Sequence, residues 1–125
     1  MNIKDLLNLK GKIILVSGGA GNYGKCIVEG LAEAGGTVII ASRNMDNIVK
    51  TVSKFREEGW DVHSMPVDQG DHDSVVALKV AITKKFGKLD VFVNNAVSRP
   101  MKTYNDPFEN FAESMRINAT GAMDI

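Results

Sequence analysis

Four glycines fall within seven residues, Gly18, Gly19, Gly21 and Gly24, straight after the apolar run Ile13 to Val16 and straight before residues at helical spacing. This is chemistry for holding phosphate. Glycines let a backbone turn sharply and approach a ligand, and the helix that follows offers unpaired N–H groups and the positive end of its dipole. Gly19-Ala-Gly-Asn-Tyr-Gly24 has the spacing of a dinucleotide turn, and here it has the strand before and helix after that such a turn requires. A second signal lies further on. In dinucleotide folds an acidic residue roughly 20 positions past the glycines accepts from the adenosine ribose and selects NAD. Ser42 and Arg43 occupy that place. A hydroxyl and a guanidinium suit a 2′-phosphate and no carboxylate repels it, so NADP(H) is expected in preference to NAD(H).

Other reactive side chains are scattered. His63 and His72 are singletons, on a predicted strand and near a predicted helix start, and read as polar surface residues. No metal-binding spacing occurs. Cys26 stands alone in the first long helix and is expected to be a small buried hydrophobe.

The elements that position these residues alternate. Ile13 to Val16 is a strand of the kind covered on both faces, followed by a helix with Tyr23, Ile27, Leu31 and Ala34 on one face and Gly35-Gly36 at its end. Thr37 to Ala41 is a second buried strand. Asn44 caps a helix running to Glu58 with Ile48, Val52 and Phe55 inward, and Trp60 to Val67 is a third strand with Pro66 suited to an edge. Asp68 follows at its tip. Asp71 opens a helix to Phe86 with Val75, Leu78, Ile82 and Phe86 as its buried stripe, and Leu89 to Val93 is a fourth buried strand ending in Asn94-Asn95-Ala96. Asp106-Pro107 opens a last helix, with Phe108, Phe111 and Met115 at helical spacing. Met1 to Gly11 holds enough apolar residues to dock a short leader.

Right-handed crossovers turn this alternation into a Rossmann-type α/β fold, a doubly wound parallel sheet in the order 3-2-1-4, partial, between two helix layers. The order reverses between strands one and four, so a ligand is expected outside their carboxyl ends, where the glycine turn and Asn94-Asn95-Ala96 emerge.

The chain of 125 residues makes one domain at most. A formal net charge of zero gives no electrostatic case for nucleic acid or a membrane surface, and no apolar run approaches the ~20 residues that span a bilayer. The expectation is a cytoplasmic protein.

Together these motifs resemble the short-chain dehydrogenase/reductase family in its classical form. The resemblance rests on Lys10-Gly11-Lys12, the run Val16 to Gly24, Asp68, Phe86-Gly87-Lys88-Leu89-Asp90, Asn94-Asn95-Ala96 and Asn118-Ala119-Thr120-Gly121. It implies that Ser17, Gly18, Gly19, Gly21, Asn22, Tyr23 and Gly24 hold the cofactor pyrophosphate, with Ser42 and Arg43 at the 2′-phosphate. It implies Asp68 at the adenine amino group, and Asn94, Asn95 and Ala96 along the ribose side. Asn118 matches the asparagine that, in the family, distorts its helix and anchors a water chain towards a catalytic lysine. The family acts on small carbonyl or alcohol substrates, and the resemblance implies a homo-oligomer for the full-length protein.

There are departures. Ser17 replaces a threonine, Asn22 the middle glycine of the turn, and Val97 the glycine of Asn-Asn-Ala-Gly. Asn22 is expected to tolerate left-handed backbone there. Ser17-Gly18-x-x-Gly21-x-x-Gly24 also matches the extended, epimerase-like branch, and a non-catalytic nucleotide-binding module is the alternative of another class. The family's tyrosine with a lysine four residues on is missing, because Tyr23 and Tyr104 are followed at that distance by Ile27 and Phe108. Residues 1 to 125 are therefore expected to form the NAD(P)-binding, N-terminal half of such an oxidoreductase, inactive without its Ser and Tyr-x-x-x-Lys.

Overall fold

The computed structural model describes all 125 residues. Its centre is β1 (Ile13–Ser17), in which all five residues are buried. It pairs in parallel with β2 (Thr37–Ser42) on one side and β4 (Val91–Asn94) on the other, and β3 (Val62–Pro66) adds to β2. The order β3-β2-β1-β4 is the one the alternation implies.

Alternation along the strands divides the core into two layers. Ile13 and Leu15 join Ile39, Ala41, Met65 and Val67 against Val75, Leu78 and Ile82 of α4 (His72–Phe86). Ile14 and Val16 join Val38, Ile40 and Val62 on the other face. There they meet Val28 and Ala32 of α2 (Asn22–Glu33), and Ile48 and Val52 of α3 (Met45–Glu57). The helices end where left-handed glycines follow, Gly35, Gly59 and Gly87 at φ 92, 86 and 78°. Asn44 and Asp71 cap α3 and α4 by accepting from the amides of Asn47 and Asp73, at 3.1 and 3.2 Å.

The amino ends of β1 and β4 are tied together at Asp90. Its Oδ2 accepts from the Ile13 amide at 2.8 Å and pairs with Lys88 Nζ at 2.8 Å. The Lys88 ammonium, and then the Ile13 amide, hold this carboxyl below its ordinary range.

Four expectations are corrected. The buried stripe of α2 is Gly24, Val28 and Ala32, one residue along from the expected face, because Gly24 lets the helix lie against the turn; Tyr23 is 85% exposed. Cys26 on that helix is exposed, not buried. Strand β4 is an edge that pairs only with β1, and its Val91 and Phe92 remain partly exposed. Finally, the leader helix α1 (Ile3–Leu6) buries nothing, and in this segment only Leu9 packs against the core.

After β4 a long loop leads to α5 (Phe108–Met115), a π-helical turn at Arg116–Gly121, and the short α6 (Ala122–Asp124). No helix is long and apolar enough to cross a membrane.

Candidate functional site

A cleft of about 480 Å³ opens at the carboxyl ends of the strands, where the strand order reverses. Its floor is the glycine turn. Gly18 has φ +67°, and a Cβ there would meet Ala96 Cα at 2.9 Å. A Cβ on Gly24 would lie 2.7 Å from Gly19 Cα and against the Gly18 carbonyl. Each position excludes a side chain for a different reason, one by backbone conformation and one by close approach.

The turn delivers α2 to the cleft with its N-terminus bare. Gly21 is the N-cap and carries no capping side chain, and the amides of Asn22, Tyr23 and Gly24 donate to nothing in the chain. Asn22 is an ordinary first helical residue, since no residue other than glycine has positive φ. The left-handed tolerance expected of it is not called upon.

Three strand tips form the walls. Ser42 and Arg43 follow β2, and the exposed Arg43 guanidinium has no hydrogen-bond or ion-pair partner. Asp68 follows β3, where its Oδ1 accepts from the Gly70 amide at 2.9 Å and its own amide donates to Ser74 Oγ at 2.9 Å. Asn95 and Ala96 follow β4. Asn95 Nδ2 donates to the Gly18 carbonyl at 3.0 Å, which fixes that wall to the turn.

Thus Gly18, Gly21, Asn22, Tyr23, Gly24, Ser42, Arg43, Asp68, Asn95 and Ala96 line one cleft. Ser17, Gly19 and Asn94 are not among the residues that line it. Ser17 is fully buried beneath the turn. Its hydroxyl accepts from the amides of Asn95 and Ala96, both at 3.1 Å, and donates to Asn94 Oδ1 at 3.2 Å, so it staples β1 to the strand beside it. The Asn94 side chain is used in that staple. Gly19 is a packing glycine, where a Cβ would meet Ile40 Cγ2 at 2.9 Å.

Asn118 stands behind the cleft, in the π-helical turn. Its Oδ1 accepts from the Ser98 amide at 2.8 Å and its Nδ2 donates to the Ser98 carbonyl at 2.6 Å, clamping the loop after β4. The same turn holds the opposite wall. Gln69 Nε2 donates to the Ile117 carbonyl at 3.1 Å, Arg116 donates to the Gly70 carbonyl, and Gly121 lies against the Gln69 backbone. Arg116 also forks onto Glu113 at 2.7 Å through both Nε and a terminal nitrogen. Each partner shifts the other, Glu113 downwards and Arg116 upwards.

Gln69, Ser98, Arg99 and Ile117 line the cleft without having been found from sequence. Arg99 alone left a signal, a basic residue shortly after a strand tip, as Arg43 is. His63 and His72 lie outside the cleft, against Asp61 and Asp124, and no cluster suited to a metal occurs.

The fold has close counterparts. The family model described as short chain dehydrogenase matches residues 12–125. An uncharacterised oxidoreductase of Mycobacterium tuberculosis is 28% identical over 130 residues, covering 99% of this chain and 38% of that protein. A short chain dehydrogenase/reductase of Colletotrichum higginsianum is 40% identical over 93 residues, covering 74% of this chain and 35% of that protein. Among solved structures, a short-chain type dehydrogenase/reductase from Mycobacterium marinum superposes with TM-score 0.91 at 27% identity, over 99% of this chain and 51% of its own. An NAD+-bound xylitol dehydrogenase gives 0.85 at 30% identity, over 93% of this chain and 45% of its own. A gluconate 5-dehydrogenase from Burkholderia cenocepacia with NADP and tartrate gives 0.86 at 27% identity, over 98% and 49%. The chain therefore spans between about a third and about half of the length of these relatives.

Proposed function

The chain belongs to the short-chain dehydrogenase/reductase family, and from that premise we propose that residues 1 to 125 are the nicotinamide-nucleotide half of an oxidoreductase that interconverts an alcohol and a carbonyl. The observation that carries this is the bare N-terminus of α2. Three amides without acceptors face a turn whose glycines exclude side chains, while α3 and α4 are capped by their own sequence. A diphosphate supplies the acceptors that the chain withholds.

In this reading Gly18, Gly21, Asn22, Tyr23 and Gly24 cradle the diphosphate, and Asn95 and Ala96 line the ribose next to it. Asp68 faces the adenine with its free oxygen, its other oxygen being engaged with Gly70. Arg43 takes a 2′-phosphate, which makes NADP(H) the preferred cofactor; bound, it supplies or accepts hydride. Asn118 positions the Ser98 loop rather than touching the cofactor. The reaction's acid and base come from residues outside 1 to 125, since neither tyrosine of the chain has the lysine partner. Dehydrogenase and reductase names among the relatives favour this branch over the epimerase-like one.

Fluorescence titration with NADPH and NADH tests the reading. Both are expected to bind saturably, and Arg43→Glu is expected to weaken NADPH by about tenfold more than NADH, the loss of one charge-assisted contact. Equal losses remove the 2′-phosphate role. Absence of saturable binding by either nucleotide removes the cofactor role altogether.

A further inference from the structure

The chain has four arginines, and the structure consumes two of them. Arg56 donates to the Val62 carbonyl at 2.8 Å and lies against His63, and Arg116 is forked onto Glu113 and bonded to Gly70. Arg43 and Arg99 have no partner, and both line the same cleft. No lysine lines it. The only acidic side chain there is Asp68, whose Oδ1 is already occupied.

The two free guanidiniums come from segments that leave opposite neighbours of β1. Arg43 directly follows β2, and Arg99 lies in the loop that leaves β4, a strand two spacings from β2, about 10 Å. A dinucleotide centred on the α2 N-terminus reaches both sides, with its adenosine over β2 and β3 and its reacting end over β4. Arg43 is accounted for on the adenosine side. Arg99 is not. It adjoins Ser98, whose amide and carbonyl are both held by Asn118, so its backbone is anchored while its side chain is free.

We propose that Arg99 is a substrate-anchoring residue, and that the substrate is a small molecule bearing an oxyanion, a carboxylate or a phosphate ester, close to the carbon that exchanges hydride. This deepens the cofactor reading and rests on it for the placement of the reacting end. A guanidinium is the side chain whose planar donor fork matches either oxyanion through two parallel bonds. An anchored loop gives that fork a fixed origin at the cleft, and no group of the chain neutralises its charge.

Calorimetry on the 125-residue chain, at fixed ionic strength and with and without saturating NADP+, tests this with three probes of one carbon skeleton: glycerate, glycerol 3-phosphate and glycerol. At least one anion is expected to bind saturably and glycerol not to bind, with the better anion identifying carboxylate or phosphate. Arg99→Gln is expected to weaken that anion by about tenfold or more, with Arg99→Lys retaining part, while the NADP+ affinity stays within about twofold. The inference is overturned if neither anion binds, if Arg99→Gln leaves anion binding unchanged, or if it weakens NADP+ as much as the anion. A chain that fails to bind NADP+ sinks the cofactor reading and with it the placement beside the hydride-exchanging carbon, while the nucleotide-free titration still decides whether Arg99 holds an anion.

Discussion

Removing the Ser17 hydroxyl should loosen the cleft without touching a ligand. Ser17→Ala deletes the acceptor for two amides, those of Asn95 and Ala96, and the donor to Asn94. The volume lost is one oxygen, so no cavity term enters. Each orphaned amide costs about 1–3 kcal/mol when fully buried. Asn95 and Ala96 are only part-buried, so water can reach them and the lower end applies, about 2 kcal/mol in all. A chain of this size has a stability of roughly 6–19 kcal/mol, so the loss is visible but not lethal. Thermal unfolding should show a fall of about 6–12 °C. Ser17→Thr, which keeps the hydroxyl, should recover most of it. Nucleotide affinity should fall together with stability in Ser17→Ala, because the freed residues form one wall of the cleft. A melting temperature within about 2 °C of the parent refutes the staple. A loss of affinity with no loss of stability would instead restore Ser17 to direct contact with the cofactor.

Three further outcomes follow from neighbouring features. Gly24→Ala places a methyl group against the backbone of Gly18 and Gly19, so it should abolish saturable NADPH binding and lower stability by about 1–3 kcal/mol in urea unfolding. Asn118→Leu frees both backbone groups of Ser98, and hydrogen exchange at the Ser98 amide should rise sharply while the amides of β1 stay protected. Asp90 has a folded pKa below its unfolded value of about 3.9, so its contribution is fully present above that pH and is lost as pH falls on through the lower, folded value. The gap in urea midpoint between the parent and Asp90→Asn should be full at neutral pH and close on acidification; a gap that widens in acid contradicts the assignment.

The sheet was legible because its strands are short β-branched runs and its helices are punctuated by glycine and by Asn44 and Asp71. Those signals are local, and they survived folding unchanged. Burial was harder to read, because it depends on neighbours. Leu89 to Val93 is as apolar as β1, yet β4 pairs on one side only and Val91 and Phe92 stay partly exposed. In α2 the expected face was off by one residue because both Ile27 and Val28 are apolar, and only the packing of Gly24 on the turn chooses between them.

The cleft shows the same division. A glycine motif announces a phosphate cradle, but spacing does not distinguish a residue that faces the cleft from one that supports it: Ser17 is buried beneath the turn and Gly19 packs against Ile40. Ile117 left no trace in the sequence, because a tertiary contact with Gln69, 48 residues earlier, brings it to the cleft. Arg99 lies in an irregular loop, where no period predicts a direction.

The π-helical turn reaches forward to Ser98 with one residue and back to Gln69 and Gly70 with its neighbours. It acts as a crossbar bolted to both jambs of a doorway. Neither jamb can swing without breaking a contact to the crossbar. Inserting or deleting one residue between Phe108 and Gly121 would rotate every bolt out of its hole at once, whereas the same change in the loop before Asp106 would leave the frame standing.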